Sequence, residues 1–299
     1  MKKLTGAGPL LGAVAAVGAA CLAYGVVVEP NAFRLRRLSV PVLPAGHSPI
    51  RVLHISDLHL LPGQTRKIAW VRSLAGLDPH LVVDTGDNIA GHDALPALAE
   101  ALGPLAGIPG VFVFGSNDYY GPAPINPLRY FLPHRRARRQ PRLPSKALAL
   151  NLGHLGWTDV AGRQVTWRIA DTVVEIRGTG DAHIRLDDYE SVAGPSTADV
   201  LIGVTHAPYS RLLDPMTEDG AALIMAGHTH GGQVCWPGGR ALTTNCDLPN
   251  RQARGLSRHH FGDKSAYLHV SAGLGTSPYA PYRFCCPPEA TLLTLEARP

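Results

Sequence analysis

Short apolar runs alternate along the chain with longer stretches of mixed polarity, and several of the runs end abruptly in carboxylates and imidazoles. Ile50–Ile55 reads as a strand leading into Ser56-Asp57-Leu58-His59, and His80-Leu81-Val82-Val83 as a parallel strand buried on both faces, ending in Asp84-Thr85-Gly86-Asp87-Asn88. Val111-Phe112-Val113-Phe114 ends in Gly115-Ser116-Asn117-Asp118. Val200–Val204 ends in Thr205-His206, and residues 221–225 end in Ala226-Gly227-His228-Thr229-His230-Gly231-Gly232. Helix-compatible stretches at 65–76 and 94–102 lie between these runs, a pattern that predicts an α/β architecture built from crossovers. The β-branched segments 164–169 and 172–176 predict a hairpin, and a last strand follows Pro287-Pro288-Glu289.

Residues two apart on an extended segment project to one side, so Asp57 with His59 and His228 with His230 each aim two donors at one point. Glycines beside them allow tight turns and close backbone approach. A His-Thr-His in a glycine-rich turn is by itself as compatible with a solvated loop as with a metal site. Five strand ends carrying such residues in one chain favour the site, because ligands in open α/β sheets bind just beyond the carboxyl ends of the strands.

A chain of 299 residues, 45% of them hydrophobic, can bury one large core, so one catalytic domain is expected over 50–299, after a linker at 31–49. Residues 9–28 carry no charge, between Lys2-Lys3 and Glu29 with Arg34, Arg36 and Arg37. Twenty residues at 1.5 Å each span about 30 Å, the thickness of a bilayer core. Residues 1–30 are therefore expected to form a single membrane anchor. A secretory signal cleaved near Gly18-Ala19-Ala20 and a helix packed on the domain are the alternatives. Positive charge on both sides of the span barely decides its orientation. Among five cysteines, Cys235 and Cys246 are spaced to close a small loop, Cys285 and Cys286 are adjacent, and the odd total leaves at least one thiol unpaired.

The net charge of +5 is concentrated in a basic loop at 121–146, where Arg135, Arg136, Arg138 and Arg139 follow Tyr130, Phe131 and Leu132. It reads either as a solvated loop or as a flap that attracts an anionic substrate or lipid surface. No binding module accompanies the arginines, so nucleic acid is not an expected partner.

Taken in order, Asp57-x-His59, Gly86-Asp87, the turn at 115–118, the lone His206 and Gly227-His228-x-His230 resemble the calcineurin-like metallophosphoesterases, from about residue 50 to the C-terminus. Gly231-Gly232-Gln233, the segment 271–277 and Pro287-Pro288-Glu289 are similar to the membrane-associated bacterial branch that includes YkuE. The resemblance implies two packed mixed β-sheets flanked by helices, a four-layer αββα sandwich, with the catalytic domain outside the cytoplasm. It implies a binuclear metal-dependent phosphoesterase acting on phosphodiester or pyrophosphate bonds, here of a lipid or cell-envelope substrate. Two divalent ions acidify a bridging water and neutralise the phosphoryl oxygens. Asp87 takes the bridging role, with Asp57, His59 and His230 on one ion and Asn117, His206 and His228 on the other. Mixed oxygen and nitrogen ligation suits manganese, iron or zinc.

One departure affects the chemistry. The usual family turn is Gly-Asn-His-Asp or Gly-Asn-His-Glu, in which the Asn binds metal and the His assists the leaving group. Here, read without a gap, Ser116 stands for the Asn and Asn117 for the His; shifted by one residue, Asn117 keeps the ligand role and Asp118 replaces the His. The shifted reading gives a catalytic set of Asp87, Asn117, Asp118 and His206. Either way the usual general acid is missing, which costs a factor of about 10² to 10⁴ unless the leaving group is good or another donor reaches in. The alternative function is a membrane-tethered protein that binds metal or a phospholigand with little turnover. Asp84 and His54 are expected behind the site, and His92, His134, His154, His183, His259, His260 and His269 receive no role.

Overall fold

Apolar residues on both faces of two sheets organise the molecule. The computed structural model describes residues 7–123 and 140–299. In chain order the regular elements are α1 (Ala7–Ala23), β1 (Arg34–Leu43), β2 (Ile50–Ile55), α2 (Thr65–Ser73), β3 (Leu81–Asp84), α3 (Leu95–Leu102), β4 (Gly110–Phe112), α4 (Ser116–Tyr119), α5 (Ser145–His154) and β5 (Trp157–Asp159). They continue as β6 (Arg163–Ile169), β7 (Thr172–Gly178), β8 (Val200–Val204), α6 (Ser210–Glu218), β9 (Leu223–Ala226), β10 (Gly255–Phe261), β11 (Lys264–Val270) and β12 (Glu289–Ala297). One sheet has the order β1-β12-β2-β3-β4-β5, the other β10-β11-β9-β8-β7-β6.

Alternation sorts the side chains. Val52, Leu81, Val83 and Val111 of the first sheet face Val174, Ile176, Ile202 and Met225 of the second across the middle of the molecule. Leu53, Ile55, Val82 and Phe112 turn the other way, onto Ile68, Val71, Leu98 and Leu152 of the helices α2, α3 and α5. Leu201, Ile224 and Leu268 cover α6 through Leu212, Leu213 and Met216. The result is the expected αββα sandwich of mixed sheets, and each fully buried aliphatic side chain contributes about 1.5–3 kcal/mol. The parallel pairs β2/β3, β3/β4 and β8/β9 put their carboxyl ends on one edge, and the predicted hairpin is the antiparallel pair β6/β7.

Two expectations need correction. The stretch 31–49 is not simply a linker, because β1 occupies Arg34–Leu43 and pairs in parallel with β12 along the edge of the first sheet. Its arginines disguise it: Arg36 forms an ion pair with the buried Glu289, while Val40, Val42 and Leu43 enter the core. Pro41 is tolerated because the strand lies on an edge, and the register shifts there. The cysteine loop does not form either, since all five thiols are free: Cys235 Sγ donates to Gly231 O (3.3 Å), and Cys246 Sγ meets Thr244 Oγ1 (3.1 Å). The basic loop falls largely outside the described residues, in 124–139.

Helix α1 continues through a wide turn, Tyr24–Val28, and a tight one, Glu29–Asn31. The stretch Leu11–Asn31 is long and apolar enough to cross a membrane, and only 6% of its most apolar window is buried against the domain. The reading of a helix packed on the domain is therefore overturned.

Between the sheets, His54 of β2 meets His269 of β11, Nδ1 to Nδ1 at 2.8 Å, both fully buried. Burial lowers both pKa values, that of His269 to about 3, with the neighbouring His269 adding to the effect on His54. Each is neutral in the folded protein but takes up a proton once unfolded below about pH 6.5, so stability present above that pH is lost as the pH falls, by about 1.4 kcal/mol per pH unit and histidine. The urea midpoint should fall between pH 6.5 and 5, and the double variant His54→Asn/His269→Gln should have a visibly flatter profile. Identical slopes for the two proteins would remove this pair as the cause.

Candidate metal centre

The convergence of the candidate ligands comes from left-handed turns rather than from strand alternation. Asp57 (φ 50°), His59 (φ 41°), Asp87 (φ 57°), His228 (φ 70°) and His230 (φ 51°) all lie just beyond the ends of β2, β3 and β9 with positive φ. For residues with a Cβ that conformation costs about 1–3 kcal/mol each, and it persists only where the surroundings enforce it. Here the turns after β2 and β3 are laced together: Asp57 N donates to Gly86 O (2.8 Å), His59 N to Asp87 O (2.9 Å) and Leu60 N to Asn88 O (2.9 Å). Glycine is required where backbones press on the ligands. A Cβ on Gly115 would stand 2.2 Å from Asp87 Oδ1 and 2.5 Å from His206 Nε2.

Six of the expected residues close on one small volume. His59 Nε2 lies 3.2 Å from His230 Nε2, and His230 Nε2 lies 3.5 Å from Asp57 Oδ1. On the other side His228 Nδ1 is 3.3 Å from His206 Nε2. Asp87 Oδ2 joins the two groups, at 3.5 Å from both His59 Nε2 and His206 Nε2. Ligand atoms about 2.0–2.2 Å from one ion stand about 3.0–3.5 Å apart, so these separations suit donors sharing a cation. The donor atoms of Asp57, His59, Asp87 and His230 all lie within 4.8 Å of one another.

Hydrogen bonds fix the rings. His206 Nδ1 donates to Thr85 O (2.6 Å) and His230 Nδ1 to Gly275 O (3.1 Å), leaving each Nε2 to face the centre. Asp57 accepts from Ser56 Oγ and from the backbone of His228. Burial pushes the Asp57 pKa up to about 6, and Asp87 adds to this, whereas His59 is pulled down to about 4, chiefly by burial. Burial also opposes charge on Asp87 and His206, yet their mutual attraction wins: Asp87 falls below the usual carboxylate range and His206 rises to about 10, helped by Asp181 and Asp57. The neutral His59 and His230, whose Nε2 atoms face each other beside the ionised Asp87 carboxylate, are a donor set in want of a cation.

The altered turn places its residues differently from one another. Asn117 touches Asp87 twice, through its backbone N (2.8 Å to Oδ1) and side-chain amide (2.7 Å to Oδ2), while Ser116 lines the same cavity without reaching Asp87. Asp118 does not stand where a general acid would. It is fully buried, and its carboxylate accepts the N–H groups of Asp87, Asn88 and Gly115 at 2.7, 2.7 and 3.0 Å. Its work is to hold the two turns together, and the expected catalytic role is corrected accordingly.

A cavity of about 210 Å³ opens over the centre, lined by His59, Asp87, Asn117, His228 and His230 and also by His183. The His183 ring lies 4.6 Å from that of His228 and its Nδ1 is 3.1 Å from Tyr209 Oη. Sequence reasoning gave His183 no role, because it sits in an aperiodic stretch and reaches the site only through the fold. Asn245, which donates to His228 O at 3.2 Å, was missed for the same reason.

The model of the calcineurin-like phosphoesterase family matches residues 50–232, which covers every candidate ligand. The chain belongs to this family. Proteins similar to it include two from Bacillus subtilis: YpbG, 28% identical across 84% of this chain and 82% of that protein, and the metallophosphoesterase YkuE, 24% identical across 99% of both. A bovine transmembrane protein with a metallophosphoesterase domain is 26% identical over 91% of this chain, which spans 58% of that longer protein. As a member of the family the chain is a metal-dependent phosphoesterase, a hydrolase of phosphate esters that binds divalent metal.

Two substitutions test whether the turns build the centre. In Asp118→Asn an amide N–H would oppose one of three backbone donors, leaving a buried group unsatisfied at about 1–3 kcal/mol; retained metal, read by elemental analysis, should fall about 10- to 100-fold in affinity. Gly115→Ala should abolish metal retention while leaving the far-ultraviolet circular dichroism unchanged. Wild-type metal content in either variant would show that the turns are not what places the ligands.

Proposed function

We propose that this phosphoesterase uses two divalent cations to hydrolyse phosphodiester or pyrophosphate bonds of a lipid or cell-envelope substrate, from a domain tethered outside the cytoplasm by α1. The observation that carries the reading is Asp87 Oδ2 standing 3.5 Å from a histidine of each group, the place for a carboxylate shared by two ions. Asp57, His59 and His230 would hold one ion, and His206, His228 and Asn117 the other. Bound there, the pair would supply an acidified water as nucleophile and charge to neutralise the phosphoryl oxygens. Manganese, iron and zinc all suit the donors.

The rest falls to the chain's own side chains. Asn117 keeps the Asp87 carboxylate oriented through two hydrogen bonds, and it is favoured over Ser116 as a ligand because an amide oxygen is a better neutral donor to a divalent ion than a serine hydroxyl. His183, held beside His228 at the cavity wall, is positioned to give a proton to the departing oxygen, the role left vacant by the altered turn. The cavity, at about 210 Å³, has room for a phosphate and its immediate substituents but not for a whole lipid, so the remainder of such a substrate would lie outside.

Leaving-group dependence tests this division of labour. After chelation and re-addition of Mn²⁺, the wild-type protein should hydrolyse both nitrophenyl and alkyl phosphodiesters. His183→Asn should cost about 10²- to 10⁴-fold with the alkyl leaving group and little with nitrophenolate, which needs no proton. Equal losses with both would give His183 a positioning role only. No turnover of any ester by a metal-loaded wild type would favour a binding protein instead.

A further inference from the structure

Helix α1 ends in contacts that tie it to the back of the metal centre. Gly25 O accepts from Arg283 N (2.8 Å), and Tyr24 stands edge-on to Phe284 with ring centroids 6.2 Å apart. Glu29, 2% exposed, accepts the N–H groups of Cys285 and Cys286. A carboxylate buried at the foot of an apolar helix is costly unless its hydrogen bonds are met, and these two amides meet them. Arg283, fully buried, then donates to the carbonyls of Ala272, Gly275 and Cys286. Gly275 O is also the acceptor of His230 Nδ1. The helix foot, the 283–286 segment and a candidate metal ligand are thus one hydrogen-bonded body.

The same segment carries an apolar surface. Val234 is bridged to Phe284, and Cys235 N donates to Phe284 O (2.9 Å), so the 233–242 turn is fastened beside the helix foot. This turn exposes Trp236 (63%) and Leu242 (46%). Tyr279 (50% exposed) stands on the neighbouring 276–282 loop, and it also lines the catalytic cavity. Beyond Val28, the large hydrophobic residues exposed among those described are Leu150, Leu186, Trp236, Leu242, Phe261 and Tyr279, so half of them sit on these two loops. Scattered exposed apolar residues need no explanation, but a Trp, a Tyr and a Leu beside the foot of an apolar helix match the belt that such residues form at membrane surfaces. A cavity of about 310 Å³ at the helix foot is lined by Val26, Pro30 and Asn31 and by Arg66, Lys67 and Thr276 of the domain.

We propose that the 233–242 turn and the 276–284 loop form a face that rests on the bilayer at the foot of α1, so that the catalytic cavity opens towards lipid headgroups. The occupant of this face is a lipid surface, not a second copy of the chain. The inference rests on the anchor reading given under the proposed function and is independent of turnover.

Tryptophan fluorescence of the full-length protein, reconstituted in phosphatidylcholine vesicles with or without bromine on the acyl chains close to the headgroup, tests it. Bromolipid should quench wild-type emission, and Trp236→Phe should lose most of that quenching while Trp70, Trp157 and Trp167 continue to emit. Absence of quenching in wild-type protein that floats with the vesicles, or equal quenching in the variant, would overturn the proposal, as would a cross-linked homodimer that shields Trp236. In a second arm, Trp236→Ser/Leu242→Ser should lower hydrolysis of a vesicle-embedded phosphodiester several-fold and spare a soluble nitrophenyl diester; equal rates on the embedded ester would count against it. Quenching at Trp236 in a protein inactive on every ester would sink the hydrolase reading and leave this one standing.

Discussion

The crowding of carboxylates around Asp87 is the constraint from which the rest of the site follows. Asp57, Asp84, Asp118 and Asp181 are all fully buried near it, and each feels a neighbouring carboxylate that raises its pKa, with burial the larger cause; Asp84 reaches about 7. Two like charges in such a place repel strongly, and protein dipoles alone rarely offset this. The protein distributes the problem. Asp118 is surrounded by three backbone N–H groups, Asp84 accepts one from Gly86, and Asp57 is held by Ser56 and the His228 backbone. Asp87, which accepts two hydrogen bonds from Asn117, faces imidazoles on two sides, where bound metal would complete its neutralisation.

Backbone strain is the second part of that solution. Five candidate ligands occupy left-handed conformations at the carboxyl edge of the strands, a total that a loose loop would relieve by relaxing. The two sheets and the lacing between the turns keep them in place, so the donors are preorganised before metal arrives. Proximity of the helix foot extends the same rigid body outward: Glu29 and Arg283, both buried, connect the apolar helix to the carbonyl that orients His230.

Much of this was legible in the sequence, and the rest was not for identifiable reasons. The strands that deliver Asp57, Asp87, His206 and His228 are short, mostly apolar and followed by abrupt polar turns, so pattern alone marks both strand and site. The segment of β1 was hidden because an edge strand with Arg34, Arg36 and Arg37 has no clean alternation until Val40. The pairing of Asn117 with Asp87 and the burial of Asp118 depend on which way a four-residue helix turns, which spacing does not encode. His183 and Asn245 come to the centre from loops whose course is set by the second sheet, and no local signal distinguishes them from other exposed polar residues.

Sharing of Asp87 by two ions is the central claim, and metal stoichiometry tests it most directly. Protein purified with its metals and measured by elemental analysis should hold close to two transition-metal ions per chain, and Asp87→Asn, folded to the same extent, should retain fewer than one because both ions lose their common anionic ligand. Two ions per chain in Asp87→Asn, or a single ion in both proteins, would contradict it.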